Sequence, residues 1–178
     1  CNPGQPAAAL IGCADERLAP TLAQVQLDRG FKAAIVRSES GLDEMTTDGI
    51  THIWDATGES VRHLEFDAAS LNLQPASLAD LRGGDANENA QVVRDILAGR
   101  SDGRYAAIRD VVALNAAAAL VVFDATQSTN RYGKTVESFS VRVARALTDA
   151  YQSIDNGGAT SALTVLMSVS QRLAISAL

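Results

Sequence analysis

The sequence predicts an α/β domain, with a mostly parallel central sheet that carries a β-hairpin, flanking helices and a helical C-terminal half. Three observations predict it. Short apolar runs at 7–13 and 32–36 enclose a stretch of helical period, the strand–helix–strand order of a βαβ unit. Two β-rich runs, 51–56 and 60–66, flank Thr57-Gly58-Glu59, which reads as a hairpin turn. Beyond Asp85, apolar residues recur at helical spacing almost to the end of the chain.

At 178 residues, 47% hydrophobic and 20% charged, the chain is long enough for one domain with its own core. A net charge of −6 without a basic cluster argues against sequence-independent affinity for nucleic acid. The longest nearly uninterrupted apolar stretch, Val111 to Phe123, contains Asn115 and is too short to span a bilayer, so no membrane partner is expected. No signal peptide is visible, and Cys1 and Cys13 are too few for a disulfide framework, so a reduced, cytoplasmic protein is expected. The chain opens on Cys1 without an initiator Met. Asn2-Pro3-Gly4-Gln5-Pro6 reads as a turn into a strand and lacks a long polar tether, which favours a piece of a longer protein over a lipid-anchored one.

Ala7 to Cys13 reads as a strand buried on both faces. Leu18, Leu22, Val25 and Gln26 then mark one face of a helix that Gly30 ends, before the strand from Lys32 to Val36. Trp54 and Phe66 are expected in the sheet core. A helical or turn segment follows near 71–73, and Ser77 to Leu81 reads as a short helix. Asp85 and Glu88 form a capping-box pattern ahead of Val92, Val93, Ile96 and Leu97, with Gly99 as the stop. The alanine-rich run from Tyr105 to Ala125 is apolar around much of its circumference and is expected to be buried on most sides. After a polar loop at 126–133, Val136 to Ile154 places Val141, Ala144, Leu147, Ala150 and Tyr151 on one face, and Asn156-Gly157-Gly158 ends it. A last helix runs from Ala159 to about Ser170 with Leu163, Leu166 and Met167.

The chemistry is concentrated in Ser40-Gly41-Leu42-Asp43-Glu44. This turn follows the second strand, and open α/β sheets bind ligands past the C-terminal ends of their parallel strands. Magnesium is typically held by one or two carboxylates together with waters and substrate phosphates, so Asp43 and Glu44 are the candidate metal ligands. A solvated acidic turn is the alternative for any isolated Asp-Glu pair. His52 and His63 both fall in the hairpin, away from cysteine at ligand spacing, and are read as core or surface residues. The glycines of Arg82-Gly83-Gly84-Asp85 could cradle phosphate, but Asp85 and Glu88 would repel an anion there. No P-loop, dinucleotide fingerprint or Gly-x-Ser-x-Gly elbow is present, and no residue demands a general-base role.

The order of several motifs matters more than any one of them. Asn2-Pro3, then LIGCA, SGLDEM, RGGDANENA, ALNAAAAL and the stop at Asp155-Asn156-Gly157-Gly158 together resemble the C-terminal α/β portion of the anthranilate phosphoribosyltransferase family, over essentially the whole chain. The resemblance implies the large domain of a nucleoside phosphorylase/phosphoribosyltransferase-type fold. It implies transfer of phosphoribosyl from phosphoribosyl pyrophosphate to the amine of anthranilate, with release of pyrophosphate, in tryptophan biosynthesis. It also implies Mg2+ held in part by Asp43 and Glu44, and a homodimer at full length. The chain departs from the family in having Arg37-Ser38 where His-Gly or His-Ser is frequent, and Cys1 where Thr is common. The family's helical N-terminal domain, its glycine-rich pyrophosphate loop and its anthranilate-holding residues have no counterpart here, so the resemblance implies that residues 1–178 alone are inactive. Two other readings stand beside it: a pyrimidine nucleoside phosphorylase of the same architecture, and a non-catalytic α/β binding module.

Overall fold

The computed structural model describes residues 6–176; the Cys1 and Asn2-Pro3 features lie outside them. Strand β1 spans Ala8–Gly12, helix α1 Ala19–Asp28 and strand β2 Lys32–Ser38. Strands β3, Ile50–Ala56, and β4, Arg62–Asp67, form the hairpin. Helices α2, Ala86–Leu97, α3, Arg104–Asp124, α4, Phe139–Asp155, and α5, Gly158–Ser176, make up the helical half. The sheet order is β1-β2-β3-β4. β1 pairs with β2 in parallel, as the βαβ reading requires, whereas β2–β3 and β3–β4 are antiparallel. The parallel share of the described sheet is thus confined to the first pair, because the hairpin contributes both remaining pairings.

Strand side chains alternate between two helical layers. Ile35, Trp54 and Ala56 point to α1, where they meet Ala19, Ala23 and Cys13. Ala34, Val36, Ile53 and Phe66 point to the other face and join the larger core with α3 and α4. Trp54 and Phe66 are both sheet core as expected, on opposite faces. His63 stacks between Trp54 and His52 along the hairpin, centred 4.8 Å from the indole and 5.4 Å from His52.

Several boundaries and faces differ from the sequence reading. β1 is half-buried along most of its length because it lies at the sheet edge. Leu18, just before α1, and Leu22 and Val25 on it face outward, and the helix packs through Ala19 and Ala23, whose small side chains let it lie close to the strands. Residues 77–81 form a single turn, closed by Asp80 N–H donating to Ser77 O at 3.0 Å, with no helix continuing from it. In α4, which starts three residues later than expected, the buried face is Phe139, Arg142, Val143, Ala146, Leu147, Ala150 and Ile154. Val141 and Ala144 face outward. Helix α5 extends to Ser176, and its Leu166 and Met167 are exposed.

Helix α3 is longer than the apolar stretch seen in the sequence, and by length and composition it could cross a membrane. In this fold one side of it packs on β1, β2 and α4 through Val111, Leu114, Ala118, Val121 and Val122. Val112 and Phe123 are exposed on the other side, so the helix is not buried all round.

Candidate functional site

The loop between β2 and β3 opens with a turn built on Ser38. The Ser38 amide donates to Leu42 O at 2.9 Å and the Gly41 amide donates to Ser38 O at 3.0 Å. The Leu42 amide donates to Ser38 Oγ at 3.0 Å, and the Ser38 and Ser40 hydroxyls lie 2.8 Å apart. Gly41 has φ +93°, a conformation glycine adopts without penalty. The turn delivers Asp43 and Glu44 just past the C-terminal end of β2, both exposed, where the sequence places them.

Four further braces hold this loop. At the end of β1, a Cβ on Gly12 would overlap the Asp43 carbonyl oxygen and sit 3.0 Å from the Asp43 carbonyl carbon. Only glycine lets the two backbones approach this closely. On α3, Asn115 Oδ1 accepts from the Met45 amide at 3.0 Å while its Nδ2 donates to Met45 O at 2.8 Å and to Val111 O at 2.9 Å. Met45 itself is fully buried in the larger core. Further on, Thr47 Oγ1 accepts from the Ala76 amide at 3.1 Å and the Glu39 amide donates to Ile50 O at 2.9 Å. The backbone is thereby fixed on both sides of the acidic pair. Among the described residues, neither carboxylate has a hydrogen bond or ion pair of its own.

Asp43 and Glu44 open onto a cleft of about 360 Å3 lined by Leu10, Gly12, Val36 and Asn115. Glu44 also borders a neighbouring cleft of about 400 Å3 with Leu78, Leu81 and Arg82. Arg82 in turn reaches a third, with Gly83, Gly84 and Arg104. No group of three or more His, Cys, Asp or Glu side chains able to hold a metal occurs among the described residues. Two free carboxylates on a fixed loop are too few for a protein-only cage, but they suit magnesium, which keeps waters and shares substrate phosphates.

The other sequence candidates take structural places. Asp85 Oδ1 accepts from the Asn87 and Glu88 amides at 2.8 and 2.9 Å, and Glu88 Oε2 accepts from the Asp85 amide at 3.0 Å, so both acids are committed to the start of α2. Asn89 closes the preceding turn by bonding Gly84 through both ends of its amide, at 2.9 and 3.0 Å. Arg37 donates to the carbonyls of Cys13 and Ala14 and ties the loop after β1 to β2. The sequence reading missed Gly12, Ser38 and Asn115 as supports of the acidic loop. The available signals were a glycine closing an apolar strand, a serine two residues before Ser40, and a lone amide in the alanine-rich helix.

Comparison with known proteins shows the family. Residues 1–160 match the model described as "Glycosyl transferase family, a/b domain". An anthranilate phosphoribosyltransferase of Arthrobacter is 40% identical over 162 residues, covering 91% of this chain and 43% of that protein. One from Salinispora arenicola is 43% identical, again over 91% of this chain and 42% of the relative. The chain therefore spans less than half the length of these curated relatives. Among solved structures, the Saccharomyces cerevisiae enzyme in complex with 4-fluoroanthranilate superposes with a TM-score of 0.69 at 21% identity, over 87% of this chain and 40% of that one. The Thermus thermophilus enzyme gives 0.61 at 25% identity, over 84% and 39%. Matched over residues 1–160, the chain belongs to the glycosyl transferase family, as its a/b domain.

Proposed function

We propose that this chain is the α/β portion of a longer anthranilate phosphoribosyltransferase. The whole protein would transfer phosphoribosyl from phosphoribosyl pyrophosphate to anthranilate in tryptophan biosynthesis. The observation that carries the reading is the exposed, unpaired Asp43-Glu44 pair, held between Gly12 and Asn115 at the end of β2. Support comes from relatives that bear this name and from a solved yeast relative described in complex with phosphoribosyl pyrophosphate and Mg.

In the reaction, the anthranilate nitrogen forms a bond to the first ribose carbon as the bond from that carbon to pyrophosphate breaks. Pyrophosphate leaves with the electron pair, and the amine gives up a proton. Asp43 and Glu44 would hold Mg2+, which supplies positive charge against the departing pyrophosphate. The chain's own contribution is to fix the two carboxylates on a braced loop and to orient them into the cleft beside α3. A helical N-terminal domain and a phosphate-binding loop from the rest of the protein would complete the site, so residues 1–178 alone should not turn over substrate. The same reading makes the full-length protein a cytoplasmic homodimer without nucleic-acid or membrane partners.

The test uses the complete protein. Asp43→Asn should raise the Mg2+ concentration needed for half-maximal rate by at least about tenfold with the melting temperature nearly unchanged, since the side chain is exposed and unpaired. An unchanged metal requirement removes the metal role. Turnover of thymidine with phosphate in place of anthranilate and phosphoribosyl pyrophosphate would identify a nucleoside phosphorylase, and absence of phosphoribosyl pyrophosphate binding in calorimetry would identify a non-catalytic module.

A further inference from the structure

We infer that Asn115 is the positioning residue of the acidic pair, setting the affinity of the Asp43-Glu44 site from the far side of the cleft. The inference rests on the magnesium reading of that pair and adds a residue to it. Asparagine is a poorer helix former than alanine, yet Asn115 stands in the middle of α3 with alanines following it. Its amide accounts for the placement. Both Nδ2 donor positions are used, on Met45 O at 2.8 Å and on Val111 O at 2.9 Å, and Oδ1 accepts from the Met45 amide at 3.0 Å. The bond to Val111 locks the amide on its own helix. The reciprocal pair to Met45 fixes the two peptide units on either side of its Cα, as a β-bridge does.

Met45 directly follows Glu44, and its side chain is fully buried in the core. The residue that Asn115 grips thus joins the exposed and the anchored parts of the loop. Asp43 and Glu44 have no side-chain partner among the described residues, so their direction is set by backbone alone, between Gly12 on one side and Asn115 on the other. Groups that orient metal-binding side chains typically change metal affinity or activity by about 10–100-fold when removed.

The experiment measures Mg2+ dependence of the complete protein for Asn115→Ala, Asp43→Asn and the double variant, together with hydrogen exchange at the Met45 amide. Alanine keeps α3 helical, and Asn115→Ser serves as a second variant should Asn115→Ala fail to fold. We expect Asn115→Ala to raise the half-saturating Mg2+ concentration about tenfold, with saturating metal largely restoring the rate. Exchange at Met45 should accelerate, and the effect of Asn115→Ala on metal dependence should be smaller once Asp43 is already Asn, because only Glu44 is then left to position. If Asp43→Asn raises the metal requirement and the Asn115 variants do not, the positioning role is overturned while the metal site stands. If Asp43→Asn changes nothing, the metal reading fails and the inference falls with it. Unchanged exchange at Met45 in Asn115→Ala overturns the grip on the loop whatever the kinetics.

Discussion

Gly12 and Asp43 are in backbone contact: no side chain fits between the end of β1 and the acidic loop, because a Cβ at position 12 would overlap the Asp43 carbonyl oxygen. Backbone cannot swing aside as a side-chain tip can. Gly12→Ala should therefore displace the loop, destabilise the fold by about 1–3 kcal/mol and raise the Mg2+ requirement of the complete protein. Gly58→Ala is the control, since a Cβ there meets nothing closer than Ser60 O at 4.0 Å, and it should stay within about 0.5 kcal/mol of the parent. Urea unfolding of both variants checks this, and equal stabilities would contradict the contact.

At the opposite end of the sheet, Asp55 is fully buried and committed three times over. It accepts from the Thr57 amide at 2.9 Å, from Thr57 Oγ1 at 2.6 Å and from Arg62 Nη2 at 2.6 Å. Arg62 also donates to Thr135 O at 2.8 Å, so the hairpin is stapled to the loop before α4. Removing one partner of a buried pair costs about 3–5 kcal/mol because the other is left uncompensated. Arg62→Ala, which leaves the fully buried Asp55 carboxylate without its counter-ion, should lower the urea midpoint accordingly, and any folded fraction should keep the parent's Mg2+ dependence, because the acidic loop lies at the other end of β2.

Burial first, and then the hydrogen bond its hydroxyl donates to Asp149 Oδ2 at 2.7 Å, push the Tyr132 phenol up to about 12 from its ordinary 10.0. The folded state thus holds the proton more tightly than the unfolded chain. The associated stability is fully present below about pH 10 and is lost as pH rises toward about 12, because the unfolded state ionises first. Unfolding free energy measured across that window should fall more steeply for the parent than for Tyr132→Phe. Parallel curves would remove Tyr132 as the cause.

How far the sequence reached follows from which forces acted locally. The hairpin, the Asp85–Glu88 capping box and the Gly99 and Gly157 helix stops are set by residues within a few positions of one another, and they stand where local chemistry puts them. The Asp43-Glu44 turn was legible for the same reason. Faces of helices were less legible: α1 buries the side whose small residues approach the strands, while α4 buries the stripe through Phe139, Val143, Leu147 and Ile154 and leaves Val141 and Ala144 outside. Leu18, Leu22 and Val25 therefore lose to Ala19 and Ala23. Asn115 and Met45 are seventy positions apart, and no local pattern pairs them.

Helix α5 divides into a held part and an outlying part. Thr160 Oγ1 donates to Leu97 O at 2.6 Å, Ala159 packs on the larger core and Leu163 is half-buried, whereas residues 164–174 are all exposed. Val165, Leu166 and Leu173 are 62%, 63% and 65% exposed, so their burial contributes little to the fold. A helix of about a dozen residues is marginal by itself in water. Deleting the chain from Ser168 onward should therefore reduce helical circular dichroism while lowering stability by less than about 1 kcal/mol. Deletion from Gly158 onward should cost more, since it uncovers Leu97 and the end of α4. If the shorter deletion instead costs several kcal/mol, the outer half of α5 is covered in solution, by its own chain or by a second copy. Its concentration dependence would separate those two, because only the second copy obeys mass action.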